Sequence, residues 1–245
     1  MTRIALPVLA GLIAIAASPM VLAQTTPKAP AGKAQTPAAK TLAAPQVAQP
    51  AAPARPTFHV EGFRSAHFGM TQDQVKAAIA KDFNIQPAAI AASQNPIDGT
   101  SALSIKVDHL DPGPGAAGIS YIFGASTKTL VHINLAWATG GAPTVDDRKG
   151  VVTAALRLAV YFQNQGWPPN RTVSGALMAN NVVLIFEGVD DAGGGVEVST
   201  AGVPLESADP KAPKIPEPTG PAQLKVSYSA NHDHPDVLKI APGAF

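Results

Sequence analysis

The chain has 245 residues, no cysteine and a formal net charge of +1. Without cysteine there is no disulfide, lipid-bearing lipobox thiol, thiol nucleophile, Cys-ligated zinc or iron–sulfur cluster, so stability has to come from an ordinary apolar core. The charge is unevenly placed: five basic and no acidic residues precede Phe58, leaving thirteen basic against seventeen acidic after it, a mildly acidic balance that argues against nucleic acid as a partner.

Residues 1–23 read as a secretory signal, with Arg3, an apolar run from Ile4 to Ala17, and Val21-Leu22-Ala23 as a small-residue cleavage site. Pro7 interrupts the run and Pro19 breaks the apolar stretch that leads on to the cleavage site, which favours a cleaved signal over an uncleaved anchor; the anchor is the only expected route to membrane contact. The expected location is periplasmic or secreted. Residues 24–57 are dominated by Ala and Pro, with isolated lysines and little to bury. They are expected to form a disordered spacer leaning towards polyproline II, with a reach of about 100 Å if extended, either a tether or an inert linker. Residues 58–245 are then expected to hold one domain.

The strongest local signal is GFRSAHFGMTQDQVKAAIAKDF, Gly62 to Phe83. Thr71 is a good N-cap, Gln74 completes a capping box, and Met70 with Val75 forms a hydrophobic staple. Asp73 complements the helix dipole, and Val75, Ala78, Ile79 and Phe83 recur at helical spacing. Ile85 to Ser93 reads as a short second helical piece ended by Asn95-Pro96. Three strands follow. Leu103, Ile105 and Val107 alternate with polar residues; Ile119, Tyr121 and Phe123 share a face; Val131, Ile133, Leu135 and Trp137 form the inner face of the third. A second helix is capped by Thr144 or Asp146, with Val152, Ala155, Leu156, Ala159 and Phe162 as its apolar stripe. Its end is marked by Gly166 in a left-handed C′ position, Trp167 folding back on Phe162, and Pro168-Pro169. Val182 to Val189 reads as a central strand, Asp190 to Gly194 as a turn, and Val196 to Thr200 as its return. A Pro-rich loop, 202–222, precedes a sixth strand carrying Leu224, Val226 and Tyr228.

The segment FGMTQDQVKAAI, through Gly69, Met70, Thr71, Gln74 and Val75, resembles the helix start of the BamE (SmpA/OmlA) family of envelope lipoproteins, whose helix-then-strands module is similar to that of the β-lactamase inhibitory proteins. The chain departs from that pattern in running its helix on to Phe83 without a Leu-Gly-x-Pro stop, and in lacking the lipid-bearing cysteine. The resemblance implies a noncatalytic envelope role.

The expected fold is α+β: a two-layer arrangement of about six antiparallel strands with two helices on one face, built from two helix-plus-three-strand halves. The opposite face would be wet and would carry Lys106, Asp108, His132, Asn134, Glu197 and Lys225, the candidate binding residues for an unidentified protein or envelope partner. His232-Asp233-His234 is the most ligand-like cluster, because imidazoles at i and i+2 on an extended segment can converge on a metal; His232 and His234 are the candidate ligands of the alternative function, a small metal-binding protein or metal-dependent enzyme, with His132, His109 or Asp236 needed to complete the site. No G-x-S-x-G, H-E-x-x-H or P-loop is present, no catalytic residue is assigned, and no cofactor is expected. Gly113-Pro114-Gly115 has no following helix to seat a phosphate. Asp190-Asp191 lacks EF-hand spacing, and Asp108 and His109 are adjacent in sequence and so point to opposite faces of a strand.

Overall fold

Alternation with period two decides the architecture, because strands with one apolar face must pair with others of the same kind and cover that face. The computed structural model describes residues 57–205 and 217–239; the expected signal, all but Thr57 of the expected spacer, and the centre of the Pro-rich loop lie outside the described residues. The described elements are a small hairpin of β1 (Gly62–Phe63) and β2 (Ala66–His67), α1 (Gln72–Phe83), β3 (Ala91–Gln94), β4 (Ser101–Val107), β5 (Ala117–Phe123), β6 (Leu130–Ala138), α2 (Val145–Gln163), β7 (Thr172–Leu177), β8 (Val183–Val189), β9 (Gly195–Ala201) and β10 (Gln223–Ser229).

The molecule is α+β, with one large antiparallel sheet of eight strands ordered β3-β4-β5-β6-β10-β9-β8-β7. The expected six strands are corrected to eight, and each helix is followed by a meander of four strands rather than three. The two added strands are the edges. Pro87–Ala89 forms only a 3-10 turn, after which Ala91–Gln94 pairs with β4 instead of continuing as helix.

Helix α1 begins as its sequence dictates. Thr71 Oγ1 accepts the Gln74 N–H, and Gln74 Oε1 accepts the Thr71 N–H at 2.8 Å. Asn84 ends it in the left-handed region. Helix α2 is capped by Thr144, not Asp146, and Asp147 closes a second capping box. Its buried side chains are Val151, Ala154, Ala155, Ala159 and Phe162; Leu156, expected in the stripe, is exposed. Gly166 does not take a left-handed conformation. The helix closes instead through side chains: Trp167 Nε1–H donates to the Phe162 carbonyl at 2.6 Å, and Asn164 Nδ2 donates to that of Val160.

Both helices place their buried side chains in one core with the inner faces of the strands. Phe162 stacks on Phe186 and meets Tyr228 edge-on. Trp137 is fully buried, its Nε1–H donating to the Leu110 carbonyl at 3.0 Å. A Cβ on Gly113 would collide with that indole, which explains a glycine there. In β6 the inward position expected for Val131 belongs to Leu130, because a bulge opposite Ile122 and Phe123 shifts the register.

The N-terminal segment is fastened by one buried carboxylate. Asp190 accepts the N–H groups of Val60 at 2.8 Å, Ala192 at 2.9 Å and Gly194 at 2.8 Å. Asp190→Ala is expected to lower unfolding free energy by on the order of 3 kcal/mol, since several donors lose their acceptor at once. Thr144→Ala, which removes an exposed cap, is expected to cost about 1 kcal/mol. Urea denaturation of the two variants checks the ranking; equal losses would contradict it.

Candidate functional site

Residues opposite each other across an antiparallel ladder share a face, so the register shows what the helix-free face presents. Ser104 pairs with Ser120, Ser120 with Asn134, Asn134 with Ser227, Ser227 with Glu197, and Glu197 with Glu187. These form one polar row across six adjacent strands, about 24 Å long at the usual strand spacing. Two neighbouring pairs in the row are bonded: the Ser104 and Ser120 hydroxyls lie 3.0 Å apart, and the Ser227 hydroxyl donates to Asn134 Oδ1 at 2.7 Å.

His132 stands one step along β6 on the same face, its Nε2 3.0 Å from Asn134 Oδ1. An amide oxygen can only accept, so His132 carries its proton on Nε2 and leaves Nδ1 as an acceptor. Burial pushes its pKa below the ordinary imidazole value of 6.5; the bond to Asn134 opposes this, and the charge of Lys225 adds to it. It is therefore a neutral imidazole at neutral pH.

The β3–β6 end of this face is walled by the tail that follows β10. Ala230 N–H donates to the Val131 carbonyl, His232 N–H to that of Gly193, and Leu238 N–H to that of Asp98. Asp236 accepts the Ser126 N–H, the Thr127 N–H and the Thr127 hydroxyl, and these bonds hold its pKa down to about 2. Between tail and sheet lies a cleft of about 470 Å³, with His132, Asn134, Ser104 and Ser120 on the sheet side and Asp98, His234 and Asp236 among its walls. A second, smaller cleft of about 280 Å³ on the same face is lined by Glu197, Ser199 and Lys225.

Of the six candidate binding residues, the register puts Lys106, His132, Asn134, Glu197 and Lys225 on this face. Asp108 lies beyond the end of β4 and is exposed. Only His132 and Asn134 touch each other and line the larger cleft; Glu197 and Lys225 line the smaller one, and Lys106 lines neither. Ser104, Ser120, Ser227 and Glu187 were not singled out by sequence. Each alternates with apolar neighbours, but which of them meet depends on strand pairing.

The two C-terminal histidines part company. His232 Nε2 lies 3.7 Å from Glu187 Oε2 beside β8, whereas His234 lines the larger cleft. Among the described residues, no group of three His, Cys, Asp or Glu side chains is placed to hold a metal ion. No helix of the described residues is long and apolar enough to cross a membrane. No protein-family model, curated protein or solved structure matches the chain.

The depressed pKa of His132 has a signed consequence. As pH falls through about 6.5, the unfolded chain takes up a proton that the folded state resists until its own lower pKa, so stability declines below pH 6.5. His132→Gln, which does not titrate, is expected to make the drop in stability between pH 7.5 and pH 5 shallower. Denaturant midpoints at the two pH values measure this, and an unchanged drop would show that His132 titrates alike in both states.

Proposed function

We infer that the protein is a noncatalytic, exported domain that binds a protein or cell-envelope partner through the helix-free face of its sheet. One observation carries the reading: the polar row and its cleft occupy the face that neither helix covers, with hydroxyl, amide and imidazole groups bonded to one another rather than arranged as a nucleophile and base. Export is supported by the signal-like residues 1–23, and an envelope role by the BamE-like helix entry.

A photo-crosslinking side chain in place of Lys106, at the rim of this face, is expected to yield a defined adduct in intact cells. The same probe at Tyr161, exposed on α2, is expected to yield none. Adding Ser120→Trp, which fills the cleft floor, should abolish the Lys106 adduct. A Lys106 adduct indifferent to Ser120→Trp, or no adduct at all, counts against the face as the binding surface.

The metal reading of His232 and His234 is tested by titrating the protein with zinc and with copper. Because the two imidazoles have no third ligand among the described residues, affinity no tighter than about millimolar is expected, unchanged in a His232→Ala/His234→Ala double variant. Micromolar binding abolished by the double substitution would restore a metal site.

A further inference from the structure

The larger cleft has a chemistry of its own. Half of its lining residues carry an uncharged hydroxyl or amide, and neither lysine nor arginine is among them. Two carboxylates are present, so an anionic ligand is repelled. Both are already committed: Asp98 accepts from Asn95 Nδ2, the Thr100 N–H and the Thr100 hydroxyl within its own turn, while Asp236 of the tail accepts three donors from Ser126 and Thr127 of the β5–β6 turn. They are thus poorly placed to hold a cation. What remains free is neutral: the Asn134 amide N–H groups, hydroxyls able to donate and accept, and the Nδ1 acceptor of His132. Apolar patches from Ile122, Val131 and Val237 lie between these groups.

We propose that the cleft and the uncharged stretch of the row, from Ser104 to Ser227, bind an uncharged saccharide chain laid across the strands, the stretch ending where Glu197 and Glu187 begin. A saccharide presents neutral hydroxyl and amide groups alternating with apolar C–H faces, which is the alternation this surface offers. The row repeats at each strand, about every 4.8 Å, a step close to the size of one sugar ring. The proposal rests on the helix-free face being the binding face, and it names the kind of envelope component that face takes.

Isothermal titration of the full chain with four probes tests it: tetra-N-acetylchitotetraose and maltotetraose as neutral saccharides, tetragalacturonate as the anion, and tetralysine as the cation. At least one neutral saccharide is expected to saturate, with the charged probes silent. Asn134→Ala is expected to weaken that binding about tenfold or more, through loss of its amide contacts, and Ser120→Val similarly. Leu177→Ser, at the far edge of the sheet, should leave it unchanged, and thermal melts establish that each variant is folded. Failure of both neutral saccharides, preference for tetralysine, or binding indifferent to both Asn134→Ala and Ser120→Val overturns the proposal. If the saccharides fail while the Lys106 adduct still depends on Ser120, the face remains a binding surface for another partner. If the adduct also fails, both readings fall.

Discussion

The structure depends on the seam where β6 meets β10. There the two four-stranded meanders join through an unbroken register running from Gln223 opposite Ala138 to Ser229 opposite His132. The seam turns Trp137, Leu135 and Ile133 to the same side as Leu224, Val226 and Tyr228, and Phe162 of α2 rests on that last residue. A slip by one residue would send one strand's inward set to the opposite face and bring Asn134 or Ser227 into an apolar layer with no partner. The same register sets Ser227 beside Asn134, so one pairing both closes the core and assembles the centre of the polar row. Core and polar row are two faces of one ladder, so the row's residues take their positions from the same pairing that closes the core.

The cleft combines walls of different origin. Its floor belongs to β4, β5 and β6, each paired on both sides and backed by the core. Its outer wall is the tail, which has no strand partner and is attached at separated points, to Val131, Gly193, Ala125 and Asp98, by single backbone hydrogen bonds. Leu238 of the tail is 61% exposed. A segment with few buried apolar contacts and exposed hydrogen bonds opens at lower free energy than the sheet beneath it. The Asp236 carboxylate offsets part of that weakness by binding the β5–β6 turn through three donors, so the wall is anchored most firmly at one point.

Much of this was legible in the sequence because local chemistry and tertiary demand agree. The Thr71 cap, a start for α2 at Thr144 or Asp146, six of the eight strands of the large sheet, and the outward placement of His132, Asn134, Glu197 and Lys225 all follow from spacing alone, with Thr144 chosen by the structure. The two edge strands did not show. Ala91–Gln94 is exposed throughout and Thr172–Leu177 almost so, with Gly175 at positive φ inside it; neither has an alternating apolar face to read. Leu130 in place of Val131, and Val151 in place of Leu156, were missed for a related reason: a bulge, or a rotation of the helix about its axis, changes which side chain is buried without changing the period. The site's composition was half visible. Ser120 alternates as plainly as Asn134, but a serine on a strand carries no sign of what stands across the ladder.

The small side chains on the floor of the cleft are the least expected part of the design. Outward positions on central strands are best filled by threonine, valine, tyrosine or long charged residues, whose bulk shields the ladder and suits a pleated surface. Here Ala102, Ser104 and Ser120 occupy such positions within the cleft, and Gly118 and Ala136 occupy them beside it. Each gives up cross-strand packing that a β-branched residue would supply. Serine also brings a hydroxyl that must find a partner where it is half-buried, and Ser104 with Ser120, like Ser227 with Asn134, meets that need by bonding across the ladder. A sheet shaped only for its own stability gains nothing from this arrangement. Its effect is depth: shortening the side chains over β4 to β6 lowers the floor beneath the tail and leaves a space bordered by hydrogen-bonding groups that are held in place yet retain unused donors and acceptors.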